Sequence, residues 1–143
     1  MSTAFRVLLE GSQEVPPNGS AADGLGTVIF DSVATTASYS IRIDGLDFGP
    51  ATGEPPQTPA TRDDVTNMHV HNAPRGVNGM IVFGQIGPAQ DNDDLSILPN
   101  PDGSWTVSGI WETTDPANVS LANFAAQLEA TPIGADAPLY FNV

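Results

Sequence analysis

The sequence predicts an all-β protein, a Greek-key β-sandwich or barrel of about eight short strands with one short helix near residues 120–130. Three observations predict it. Short apolar runs recur along the chain, and several alternate with polar residues at period two. Glycine (14) and proline (13) are plentiful and sit between those runs, where tight turns belong. With 143 residues the chain is long enough to bury a core without disulfide or metal staples, so one domain over residues 1–143 is the default.

Residues 5–10 read as a first strand, stopped by Gly11-Ser12 and by Pro16-Pro17, which cannot donate to a ladder. A Gly, Ser and Asn-rich loop leads to a second strand over 24–31. A third covers 37–44, where Tyr39, Ile41 and Ile43 alternate with Ser40, Arg42 and Asp44, giving one buried and one wet face. Residues 47–62 carry four prolines and no periodicity, which predicts a long surface loop. Strands follow over 65–71, 79–86 and 95–98. Asn100-Pro-Asp-Gly103 then marks a turn before a strand over 104–111. Leu121, Phe124, Ala125 and Leu128 stand at helical spacing behind the capping hydroxyl of Ser120. Residues 137–143 form the last strand. Phe5 or Val7, Ile29, Tyr39, Ile41, Val82, and Trp105 or Trp111 are expected in the core.

Charge narrows the partners. Asp and Glu number 17 against 4 basic residues, all arginine, for a net charge of -13. Nucleic acid and anionic membrane surfaces call for Lys and Arg clusters, so neither is expected as a partner. Cations are. Cysteine is absent, which removes thiol chemistry and leaves the compartment unread from redox logic. Met1-Ser-Thr-Ala-Phe-Arg6 lacks the apolar stretch of a secretory signal, and no run approaches the length of a membrane span.

Few residues carry chemistry. The two histidines, His69 and His71, fall two apart in a strand, so both imidazoles share a face with Cα atoms about 7 Å apart. Neutral imidazoles at that spacing suit copper or zinc, with Asp63, Asp64 or Glu112 as candidates to complete the site. The competing structural reading sends Met68 and Val70 to the core and has the histidines hold loop backbone on the other face. A pH-dependent interface is a third use of them. Asp91, Asp93 and Asp94 offer hard oxygens for calcium, although their spacing does not follow the EF-hand loop and equally describes a solvated loop. Asn18-Gly-Ser20 and Asn118-Val-Ser120 are formal glycosylation sequons, the second coinciding with the helix cap. Neither a nucleophile elbow nor a phosphate-cradling loop is present.

Four segments, taken in order, resemble the CHRD (chordin-like) domain family of bacterial secreted proteins: Leu9-Glu-Gly-Ser-Gln-Glu-Val-Pro-Pro17, Gly24-Leu-Gly-Thr-Val28, Met68-His-Val-His-Asn-Ala-Pro-Arg-Gly-Val-Asn-Gly79 and Pro138-Leu-Tyr-Phe-Asn-Val143. The resemblance implies an extracellular or cell-surface β-sandwich without catalytic activity or required cofactor. Export would then use a route other than a cleavable N-terminal signal. The family pattern continues past this last motif into a further strand, and a chain ending at Val143 is expected to leave a sheet edge open for a homo-oligomer or polymer. Met68-His-Val-His71 is also similar to the copper strand of Cu/Zn superoxide dismutase, which needs several more histidines than this chain has. Two functions follow as expectations: a structural, assembly or adhesion module, and alternatively a copper- or zinc-binding module using His69 and His71.

Overall fold

The computed structural model describes residues 1–86 and 93–143. Two antiparallel sheets face each other. The larger has the order β1-β2-β3-β7-β6, built from β1 (Ser2–Glu10), β2 (Asp23–Asp31), β3 (Thr36–Asp44), β6 (Ser96–Pro99) and β7 (Trp105–Trp111). The smaller has the order β5-β4-β8, from β4 (His69–Asn72), β5 (Met80–Phe83) and β8 (Tyr140–Asn142). Among the described residues the strands are eight, as the alternation and turn signals predict, and they make a β-sandwich.

Period two organises the larger sheet. Ala37, Tyr39, Ile41 and Ile43 point inward from β3, while Trp105, Val107 and Trp111 do so from β7, and all seven are buried. The aromatic centre is Trp111, stacked on Tyr39 with ring centroids 4.2 Å apart and flanked by Phe83 and Phe141. Val82 is buried as expected, and both tryptophans are. Phe5 and Val7 are only half-buried.

Ile29 is a correction, because it is 48% exposed whereas Phe30 is fully buried. Val28 pairs with Tyr39 and Phe30 with Ala37, so the even-numbered residues of β2 face the core. Gly26 fits that face because a Cβ there would come within 2.3 Å of the Ser40 carbonyl oxygen. The apolar run Val28-Ile29-Phe30 hides this parity in the sequence.

The smaller sheet is shorter than its apolar runs suggest, with β4 beginning at His69 rather than residue 65. Residues 65–68 follow an irregular path yet stay packed, with Val65 and Met68 buried. Their course is set by Asp47, whose backbone bridges Asp64. The segment 47–62 is therefore not a bare surface loop. It contains a short helix, α1 (Gly49–Thr52), wrapped around the buried Asp47 carboxylate, which accepts hydrogen bonds from the backbone N–H groups of Gly49, Gln57 and Thr58. Residues 121–130 are helical as predicted, a 3₁₀ turn over Leu121–Phe124 running into α2 (Ala125–Ala130). Ser120 caps it, accepting from the Ala122 N–H, and Leu121, Phe124 and Leu128 are buried.

Candidate functional site

β4 is the central strand of the smaller sheet, and its alternation divides the sheet into two faces. Val70 points to the core opposite Phe83 and Phe141. His69 and His71 point the other way, opposite Asn142 and Tyr140 of β8. Their ring centroids lie 4.6 Å apart with the planes tilted by 60°. Between Val70 and His71 the register with β5 shifts by a β-bulge.

His71 is buried, and its Nδ1 lies 2.7 Å from the Gly79 carbonyl oxygen, which only accepts, so the proton sits on Nδ1. The other nitrogen, Nε2, is buried with no hydrogen-bond partner. His69 repeats this condition at Nδ1, also buried and unpartnered. Burial, and then the neighbouring His71, push the His69 imidazole below the ordinary histidine value, which favours its neutral form.

Tyr140 and Glu14 complete the surroundings. Tyr140 lies flat on His71, and the Gly79 N–H stands near its phenol oxygen. Its phenol is held above the ordinary value by burial and then by the charge of Glu14. Glu14 accepts a hydrogen bond of 3.2 Å from the Asn142 amide. Both groups lie far from the histidines in sequence. Strand pairing of β4 with β8 brings in Tyr140, Glu14 joins through Asn142, and nothing in local spacing announces either.

The structural reading of the histidines holds for Met68, Val70 and His71, which behave as it requires. For His69 no such backbone contact is seen at Nδ1. Of the three carboxylates offered as further ligands, Asp63 and Glu112 meet other groups, and Asp64 bridges Asp47 through its backbone. Glu112 joins Asp93 and Asp94 in a group whose ligand atoms all lie within 4.8 Å of one another, and among the described residues no carboxylate forms such a group with the histidines. Asp63 accepts from the Thr58 hydroxyl beside the Asp47 loop. Asp94 also accepts from the Ile110 N–H at 2.7 Å, so it fastens its loop to β7. Asp91 lies outside the described residues.

A second feature is an open seam between the sheets. Among the described residues β1 ends the larger sheet and pairs only with β2, while β8 ends the smaller one and pairs only with β4. Between them runs a cavity of about 1120 Å³, lined on one side by Phe5, Val7 and Leu9 and on the other by Leu139, Phe141 and Val143. Each of these six side chains is half-buried and packs on the core from its edge. Among the described residues no helix is long and apolar enough to cross a membrane.

No curated protein and no solved structure matches the chain. The segments that resemble CHRD domains now have places in the fold: the first covers the end of β1 and the turn carrying Glu14, the third holds the histidine strand with Gly79, and the last is β8. A family model of the CHRD domain matches residues 5–143, nearly the full length, and the chain belongs to that family of non-catalytic, extracellular-type modules.

Proposed function

We propose that this protein is an extracellular structural subunit that assembles with copies of itself by adding strands along the free edge of β1. One observation carries the reading: β1 is a nine-residue edge strand whose inward row, Phe5, Val7 and Leu9, is only half-covered and opens on the seam. An edge strand presents unpaired N–H and C=O groups, and natural monomers commonly blunt such edges with lysine, proline or inward-pointing charge. β1 has none of these at its inward positions. A second copy laid along it would continue the sheet and cover the apolar row, as in β-augmentation. The lack of lysine and the net charge of -13 keep separate subunits soluble, and they make association favourable only where salt or cations screen the repulsion.

The test is light scattering and negative-stain electron microscopy of the protein in 150 mM salt across a concentration series, beside Val7→Lys, which places a charge on the inward row. The reading expects the native protein to grow in mass with concentration and the variant to stay monomeric with an unchanged circular dichroism spectrum. A native protein that stays monomeric throughout the series overturns it.

A further inference from the structure

The outer face of the smaller sheet carries two desolvated imidazole nitrogens with nothing to bond to. A buried polar atom without a partner is uncommon in native proteins and calls for an ion, a water or a functional explanation. Here two such atoms belong to rings 4.6 Å apart on one strand. With Nδ1–H given to the Gly79 carbonyl, Nε2 is the nitrogen of His71 left to offer a lone pair to an ion. Metal-bound histidines show this arrangement, the second nitrogen donating to a backbone carbonyl that fixes tautomer and ring orientation. The ring separation also fits, since two imidazoles bound at about 2.0–2.1 Å to one tetrahedral ion bring their centroids to roughly 5 Å.

We propose that His69 Nδ1 and His71 Nε2 chelate one divalent first-row transition ion, zinc or copper, with water or small anions in the remaining positions. Borderline ions of this kind suit neutral imidazole, whereas calcium and magnesium demand oxygen. The acidic group Asp93, Asp94 and Glu112 belongs to a different part of the fold, at the start of β6 and the end of β7, and takes no part in this site. The inference stands apart from the assembly reading, because the histidines sit on β4 and the free edge on β1.

The experiment uses the full chain, stripped with chelator and titrated with zinc sulfate or copper sulfate by calorimetry, with electron paramagnetic resonance on the copper-loaded sample. The expected result is saturation at one ion per chain, nitrogen hyperfine coupling from two imidazoles, and weakening of roughly tenfold or more in His69→Gln, since loss of an outer-shell partner alone weakens sites about 10–100-fold. An Asp93→Asn/Asp94→Asn variant should bind as the native protein does. His69→Gln leaves the His71 to Gly79 contact in place, and its metal-free melting curve establishes that it folds. The proposal is overturned if the native protein shows no saturable binding, if the copper spectrum lacks nitrogen coupling, or if His69→Gln binds unchanged while the acidic variant does not.

Discussion

The ring of His71 lies parallel to that of Tyr140, 5° apart in plane with centroids separated by 4.6 Å, and both side chains meet the backbone of Gly79. His71 donates to its carbonyl, and its N–H stands near the Tyr140 oxygen. The glycine is required on steric grounds, since a Cβ there would come within 2.5 Å of the Asn72 carbonyl oxygen. β8 is thereby fastened to the start of β5 across the histidine strand. The lock ties the last family motif to the third.

Removing the phenol oxygen tests that lock. Tyr140→Phe keeps the stack and removes the polar atom near the Gly79 N–H, which should destabilise the protein by up to about 1 kcal/mol and lower the thermal midpoint by at most a few degrees. The native protein should also lose stability at alkaline pH. The folded phenol titrates above 10.0, so its contribution is intact below pH 10 and is lost as pH rises through the higher folded value. Thermal melts from pH 9 to 11.5 check both points, and the variant should lack this phenol's share of the alkaline loss.

Asp47 governs the acid side. Burial alone would raise its carboxyl, but the N–H groups of Gly49, Thr58 and Gln57 more than offset this and hold it below the ordinary 3.8. Its stabilisation is therefore present above pH 3.8 and lost as pH falls through the lower folded value. Asp47→Ala should cost on the order of 3 kcal/mol, because it orphans three backbone donors in a partly buried loop. Urea unfolding at pH 7 and at pH 3 measures it, with the gap between native protein and variant narrowing at the lower pH.

How far these features can be read from the sequence depends on the range of the interactions that fix them. The faces of β3 and the pairing of His69 with His71 are period-two signals within a few residues, and each is legible. Asp47 offers only a weak local sign, an Asp two residues before a glycine, as in an Asx-turn, while its other partners lie ten and eleven residues on. Tyr140 reaches His71 only through strand pairing, so no local rule finds it. Glu112 was a candidate for the histidines on composition alone, and β7 carries it to Asp93 and Asp94 instead.

β2 gives the sharpest case, because three apolar residues in a row leave its parity open. With Phe30 fully buried and Ile29 48% exposed, Phe30→Ala should cost about 3–5 kcal/mol, whereas Ile29→Thr should stay within about 0.5 kcal/mol. Chemical denaturation of the two variants decides the register, and equal losses would contradict it.

Gly84 and Trp111 provide the last prediction. Gly84 follows β5 with φ of 71°, and a Cβ there would lie 2.9 Å from Trp111 Nε1. Two penalties thus attach to Gly84→Ala: left-handed backbone strain of about 1 kcal/mol or more and a clash with the central indole, which is hemmed in by Tyr39, Phe83 and Phe141 and has little room to move. A double-mutant cycle separates them. In a Trp111→Phe background the smaller ring withdraws from the space over Gly84, so the second substitution should retain only the backbone penalty. Denaturant midpoints of the four proteins should therefore show the two changes to be non-additive, with Gly84→Ala costing less beside Phe than beside Trp. Equal costs in both backgrounds would mean that the glycine is needed for its backbone angle alone and that the indole tolerates a methyl group against it.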